Sequence, residues 1–476
     1  MTRVSLRMRT WWRWSRDPTR RWLWYLAAAL VYVAVTILPL PGFTPDGQRA
    51  LAVFAVAAFL WGTNTLPLAV TGLITLLLLP LTGAFDHQRT YAHFGSQALF
   101  FILGAFILAS PVTRSGLSTR LALLILQRFG HNRPRLLATL LLTPAALSFF
   151  ISEHAVAAML FPIVLEVVRA AGAKPGSRFG LAAFLALAWG AVIGGTATLL
   201  GGARAPLALG VLQSTTGRTI SFLEWTLWAL PTVAALLLAA LGVLWLLGRD
   251  ETIHLTHARR HLEARVRTLG PPSRRETLTA SVMLLTVLLW VLRGEAWGLD
   301  TIALLGVALA FLLRITEWRE IEEDVNWGIF LMYGSAIALS AALRDTGAAE
   351  ALSRLALTSW IDTPLLAFTA IVLLALGLTE AMSNSAAVAV LMPLALALAN
   401  EYGLDPRAAT LGVALPAGLA FMLPVSTPAI AIVVGSGYVR PLEAFRHGAR
   451  LKILGLAAFL LTSWAYWPLV GLGLGG

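Results

Sequence analysis

SEHAVAAMLFPIVL, residues 152–165, is matched 231 positions later by SNSAAVAVLMPLAL, residues 383–396. Each stretch opens on a polar cluster at a serine, runs on apolar, and carries a proline at the same place, Pro162 and Pro393. The same offset pairs Gly116 with Gly347, Ser148 with Thr379, Ser152 with Ser383 and Thr196 with Thr427. The flanking texts GGTATLL (194–200) and PVSTPAI (424–430) correspond as well. Polar and turn positions kept in register across two otherwise apolar halves mark an internal repeat.

The rest of the chain suits a lipid solvent. Of its 476 residues 58% are hydrophobic and only 13% charged, about half the charge of a typical soluble domain. Uncharged stretches recur at Ala50–Phe85, Phe94–Thr113, Leu136–Ser152, Phe179–Ala203, Trp225–Gly248, Thr277–Leu292, Val325–Leu343, Thr363–Thr379, Ala381–Ala399, Ala408–Val439 and Ile453–Gly476. Trp22–Pro45 precedes them and is long enough to span a bilayer; no cleavable signal peptide is read there. In hydrocarbon every backbone N–H and C=O must be satisfied internally, so these stretches are predicted helices. Ala50–Phe85 is too long for one span and is predicted to divide near Gly62-Thr63-Asn64 and Pro67.

Two stretches are interrupted. Leu136–Ser152 meets Ser152-Glu153-His154 and resumes up to Arg169, and Thr363–Thr379 meets Glu380 and Ser383-Asn384-Ser385 before running on to Asn400. Each reads as a re-entrant hairpin, whose irregular tip survives only against protein or a cavity; the plainer reading is two spans joined by a short external loop. Paired interrupted segments in two halves point to a transporter whose substrate sits at the repeat interface. The helices after Ser152 and Ser383 aim their N-termini at the tips, where free N–H groups and the dipole favour an anion. Serine is also a good N-cap, a role compatible with binding.

Charge orients the chain. The net charge is +12, concentrated in the N-terminus, with seven Arg against one Asp in residues 1–22, and in Arg249–Glu276, with seven Arg against four acids. Both runs abut apolar spans and read as cytoplasmic flanks rather than nucleic-acid patches. The predicted division is a basic N-terminus and scaffold at 1–92, a first repeat at 93–248, a linker with scaffold helices at 249–323, and a second repeat at 324–476. Spans counted between the two basic flanks make the repeats inverted. Zero cysteines exclude disulfides and thiolate metal sites, and none of the eight histidines forms HExxH.

Ser383-Asn384-Ser385 with Thr379, LPVSTPAIAIVVGSGYV (423–439), WGIFLMYGSAIALSAALRDTG (327–347) and GGTATLLGG (194–202) resemble the divalent anion:sodium symporter family. The resemblance covers nearly all of the chain from residue 50 onward. It implies a homodimer that carries dicarboxylates, citrate or sulfate, usually with sodium, by an elevator-like motion. It implies that Ser383, Asn384 and Ser385 hold a substrate carboxylate, with Thr427 and Pro428 on the opposite wall. Thr379, Met382, Asn384 and Ser426 would surround one sodium; Ser148, Ser152 and Gly195 match the other sodium site. Hard cations take oxygen ligands of this kind.

The first half departs from the family's Ser-Asn-Thr motif: after Ser152 stand Glu153 and His154. A carboxylate there repels a dianion unless it is protonated, paired or holding a cation. Three roles are open to Glu153: a proton carrier in place of sodium, part of a cation site, or a partner of Arg204, which follows the break in GGTATLLGGARAP. Arg204 would also hold a carboxylate bidentately. Ser152, Glu153, His154, Thr196 and Arg204 therefore join the substrate-site candidates. Glu380 has no symmetric partner and reads as a hairpin-stabilising acid. Asn64 and Gln97 read as interhelical glue, and the seventeen Trp, Trp11, Trp12, Trp14, Trp22 and Trp24 among them, as an interfacial belt.

The expectation is an all-α membrane protein of about 11 transmembrane helices, with two re-entrant hairpins and two inverted repeats. It is expected in the inner membrane, N-terminus cytoplasmic, as a secondary active transporter of a small di- or tricarboxylate coupled to sodium or protons. Sulfate or another oxyanion is the alternative substrate. Apart from sodium as a coupling ion no cofactor is expected. A different class, an integral-membrane enzyme using Glu153 and His154 as acid and base, lacks any accompanying nucleophile or metal cluster.

Overall fold

The computed structural model describes residues 21–130, 132–248, 255–357 and 363–474. The basic N-terminal run up to residue 20, with Trp11, Trp12 and Trp14, lies outside them, as does the start of the basic linker at 249–254.

Among the described residues every regular element is a helix. An entry helix α1 (Arg21–Ile37) packs on α2 (Pro45–Thr63), which turns into α3 (Leu68–Leu81). The division falls where the sequence predicts it, but Asn64 is not interhelical glue. It closes α2 in the left-handed conformation at φ 49°, which Asn tolerates better than most residues. After the short α4 (His87–Ala92) come α5 (Gln97–Arg114), α6 (Leu117–Phe129), α7 (Arg133–Leu147), α8 (Glu153–Ala170), α9 (Arg178–Gly194), α10 (Arg204–Thr216) and α11 (Phe222–Leu247). The surface helix α12 (Leu255–Thr268) leads into α13 (Arg274–Trp297), α14 (Leu299–Leu312), α15 (Trp318–Asp324), α16 (Trp327–Asp345), α17 (Ala348–Leu357), α18 (Pro364–Ala381), α19 (Asn384–Tyr402), α20 (Pro406–Ala417), α21 (Pro428–Gly435) and α22 (Pro441–Leu461). Polar residues before the apolar runs start these helices: Thr44, Asn132, Thr363, Ser383 and Asp405 each accept a first-turn N–H, and Ser221 and Ser273 form capping boxes with Glu224 and Glu276.

Seven of the described helices are long and apolar enough to cross a membrane, and four shorter apolar helices accompany them. Outer helices turn large aliphatic side chains outward, as at Leu30 of α1, Leu238 of α11, Leu284 of α13 and Ile453 of α22, faces that only lipid or another apolar surface covers without cost. By contrast α9 is apolar all round and buried from Phe179 to Gly194, the pattern of a helix enclosed by protein. It packs on α7, α8, α11 and α21 and forms the centre of the first half.

The 231-residue offset also relates helices that precede residues 93 and 324. Helix starts at Leu68, His87 and Glu153 recur at Leu299, Trp318 and Asn384, each 231 positions on. The two halves also cross at equivalent points. A Cβ on Gly72 of α3 would stand 2.7 Å from Ser335 Oγ of α16, and one on Gly104 of α5 would stand 2.6 Å from Ala303 Cβ of α14. Gly72 maps to Ala303 and Gly104 to Ser335 under the same offset, so these are one contact made twice. Each half lends a scaffold helix to the other, and small residues permit the close approach. Gly104→Leu is expected to lower stability by about 1–3 kcal/mol, read as melting in detergent; a variant melting with the parent would contradict the tight crossing.

Beyond the hairpins the offset shortens. α9 ends at Gly194 and α20 at Ala417, and the breaks that follow occupy residues 195–203 and 418–427. Thr196 therefore opens its break, whereas Thr427 closes the other as the N-cap of α21. Their match in the sequence alignment is not a match in space.

Candidate functional site

Each interrupted stretch forms a helical hairpin, α7–α8 and α18–α19, with its tip inside the protein: Ser148 and Thr379 are fully buried, and Glu153 and Asn384 nearly so. The first tip is stitched to the break after α9. Glu153 N–H donates to Gly201 O at 2.9 Å, and Thr198 Oγ1 donates to Phe149 O at 2.6 Å. Ser152 is the N-cap of α8 without a side-chain cap bond, whereas Ser383 Oγ accepts from Ala386 N–H at 3.3 Å.

The structure selects a partner for Glu153. Arg204 Nη1 donates to Glu153 Oε2 at 2.8 Å, with the two side chains 3% and 1% exposed. His154 Nδ1 stands 3.8 Å from Oε1 and its ring is 40% exposed, too far for a hydrogen bond. Two glycines make room for the pair. A Cβ on Gly195 would lie 2.5 Å from Glu153 Oε2, and one on Gly418 would lie 2.5 Å from Arg204 Nε and 2.5 Å from Thr196 Cγ2. The guanidinium thus rests between the break of the first half and the break of the second.

The second tip is built from oxygens. Thr379 Oγ1 lies 2.6 Å from Ala417 O and 2.8 Å from Asn384 Oδ1. The threonine has one proton for these two acceptors, so lone pairs are in excess, an arrangement that accommodates a hard cation. Ser385 Oγ is 3.2 Å from Tyr333 OH of α16. Ala417–Gly418 is common ground: Thr379 approaches it from one hairpin and Arg204 from the other half.

Other candidates have structural duties. Thr196 Oγ1 donates to Ile193 O at 2.7 Å, and its carbonyl accepts from Trp225 Nε1 at 3.3 Å. Ser426 Oγ donates to Leu423 O at 2.6 Å; Thr427 Oγ1 accepts from Ala429 N–H at 3.4 Å; Pro428 follows it, exposed. Met382 is buried at the end of α18. Gln97 does join helices, its Oε1 accepting from Gln213 Nε2 at 2.6 Å. Five buried atoms at the tips have no hydrogen-bond partner among the described residues: Ser148 Oγ, Glu153 Oε1, His154 Nδ1, Arg204 Nη2 and Asn384 Nδ2. Arg204 Nη2 and Asn384 Nδ2 are donors, and together they offer an anion what the protein leaves unsatisfied.

The sequence reading missed three members. Tyr333 and Gly418 look like ordinary span residues until the fold sets them against Ser385 and Arg204. Lys452 of α22 is the third: its Nζ donates to Glu380 Oε1 at 2.9 Å and to Leu376 O at 2.7 Å, while Glu380 Oε2 accepts from Leu423 N–H at 3.1 Å. Glu380 is therefore the hairpin-stabilising acid expected, tying α18 to α22 and to the second break. Lys452→Met is expected to cost about 1.5–3 kcal/mol, the worth of hydrogen bonds to a charged group. An unshifted melting transition in detergent would contradict that.

The chain is 30% identical over 459 residues to a Staphylococcus saprophyticus protein described as the sodium-dependent dicarboxylate transporter SdcS, covering 90% of this chain and 88% of the relative. It is 27% identical over 456 residues to the protein so described in Staphylococcus aureus strain RF122, covering 89% and 87%. Its fold is similar to the crystal structure of the Alcanivorax borkumensis YdaH transporter, with a TM-score of 0.59 at 15% identity over 86% of this chain and 100% of that one. These relatives are transporters, and the reading of Glu153 and His154 as an enzyme's acid and base falls with that. The model for the sodium:sulfate symporter transmembrane region matches residues 19–472, and the chain accordingly belongs to the divalent anion:sodium symporter family of multi-pass membrane transporters.

Proposed function

We propose that the protein is a sodium-coupled dicarboxylate transporter that binds its substrate between the two hairpin tips. The observation that carries this reading is a pair of buried donors with no partner among the described residues, Arg204 Nη2 and Asn384 Nδ2, contributed by opposite halves. Two donors on two sides suit a ligand with an anionic group at each end, and the staphylococcal relatives named as dicarboxylate transporters support the same class. Ser383 and Ser385 complete the second tip, and the oxygens of Thr379, Asn384 and Ala417 take the sodium. Bound sodium would then neutralise charge beside the substrate and fix the Asn384 amide with its NH2 toward the substrate.

The two repeat units run, in this reading, from about residue 45 and from about residue 274, and are inverted with respect to each other. The hairpins are re-entrant, and the hairpin-bearing parts move against the scaffold pairs α2–α3 and α13–α14 in an elevator-like step. The protein sits in the inner membrane as a homodimer, with the basic N-terminus and the 249–276 linker on the cytoplasmic side.

The test is uptake of labelled succinate into proteoliposomes with sodium and proton gradients imposed one at a time. An inward sodium gradient is expected to drive uptake, and excess sulfate to leave it unaffected. Uptake driven by a proton gradient alone would replace sodium as the coupling ion. Competition by sulfate but not by malate would replace the substrate class.

A further inference from the structure

We infer that the Arg204 guanidinium is a built-in cation that takes the place of the first half's sodium, so that the protein binds sodium in its second half alone. The inference rests on the reading of the second tip as a sodium site. The two halves are equivalent in helix positions up to the hairpin tips but opposite in chemistry. In the second half, oxygens converge with too few protons around Thr379. In the first half, the position corresponding to Asn384 is Glu153, and a positive charge already lies 2.8 Å from its carboxylate.

Of the residues matched to the first sodium site, Gly195 lies against the ion pair. Glu153 Oε2, the oxygen that binds Arg204, is the atom a Cβ on Gly195 would strike at 2.5 Å. Glu153 N–H is spent on Gly201 O, and Gly201 in turn packs against Ser148, where a Cβ would stand 2.3 Å from Ser148 O. A sodium ion among Ser148, Ser152 and Gly195 would share Glu153 with a fixed cation. Like charges held close in a water-poor interior repel strongly, and one carboxylate neutralises only one of them. The guanidinium supplies the positive charge that sodium supplies in the other half, and its Nη2 has no hydrogen-bond partner among the described residues. Unlike sodium it never dissociates, so the first half contributes positive charge to substrate binding without contributing to the ion gradient that drives transport.

The test counts sodium ions bound to the purified, full-length protein in detergent, using equilibrium binding of radioactive sodium in the absence of substrate. One sodium per chain is expected for the parent. Glu153→Asn with Arg204→Ala removes the fixed cation and restores the asparagine of the family motif at the first tip; it is expected to bind one sodium more than the parent. Thr379→Val in the parent is expected to abolish saturable sodium binding, an outcome independent of whether the double variant folds. Two sodium ions on the parent, or saturable binding that survives Thr379→Val, would overturn the inference and leave sodium-coupled transport standing. A parent that binds no sodium would instead overturn the sodium reading of the second tip, and the inference with it.

Discussion

Arg204→Met is expected to destabilise the protein by about 3–5 kcal/mol, the cost of leaving a buried charge without its partner. Glu153 is 1% exposed, and Oε2 has Arg204 as its hydrogen-bond partner while Oε1 has none among the described residues. With the guanidinium gone the carboxylate stays enclosed with His154 3.8 Å away, beyond bonding distance. Glu153→Gln is expected to act in the same direction, since it leaves a guanidinium wedged against Gly418 and Gly202 with a neutral acceptor. The double variant Glu153→Gln with Arg204→Met removes both charges and is expected to recover much of the lost stability, because a buried ion pair contributes little net stability over neutral groups of similar size. Melting in detergent of the parent, both single variants and the double variant closes the cycle, and the coupling is the part of the double variant's effect that the singles do not sum to. Additive effects would show that the pair is not energetically joined. Single variants that melt with the parent would contradict the burial itself.

Asn384→Ala is expected to keep the fold and weaken substrate binding by roughly tenfold to a hundredfold, the equivalent of losing a hydrogen bond to a charged group. Asn384 Oδ1 lies 2.8 Å from Thr379 Oγ1, and its Nδ2 has no hydrogen-bond partner among the described residues. Alanine removes that donor and one of the oxygens around Thr379 together. Two effects follow: a higher KM for dicarboxylate and a higher sodium concentration for half-maximal uptake. Both are read from initial rates of uptake into proteoliposomes, with melting measured alongside to confirm that the fold persists. A change in maximal rate alone, with both half-saturation values unmoved, would remove Asn384 from substrate and ion binding.

Much of this site was legible because symmetry amplifies weak signals. Ser152 and Ser383 are unremarkable as single serines, but the fixed offset makes them two tips of one design. The resemblance to the family's motif exposed Glu153 as the departure, and the charge after the break in GGTATLLGGARAP made Arg204 a candidate partner. The fixed offset failed past residue 194, where α9 runs longer than its counterpart α20 relative to the hairpins. A register carried by matching letters then paired Thr196 with Thr427, residues on opposite ends of their breaks. Asn64 was misread for a different reason: a polar residue in an apolar run is ambiguous between a hydrogen bond across helices and a helix cap, and only its backbone angle decides.

By itself the sequence determined the solvent, the helices and the repeat, since these follow from local rules: an uncharged run must form a helix in lipid, and duplicated text implies duplicated structure. Tertiary structure decided which groups meet. Glu153 had His154 beside it in the chain and Arg204 fifty-one residues away, and the fold chose the distant one. Glu380 found Lys452, seventy-two residues on, and Gly418 found the guanidinium from the other half. The reason is geometric: consecutive side chains on a helix point apart, while a broken helix brings remote backbone to a hairpin tip, where buried charges must find their partners.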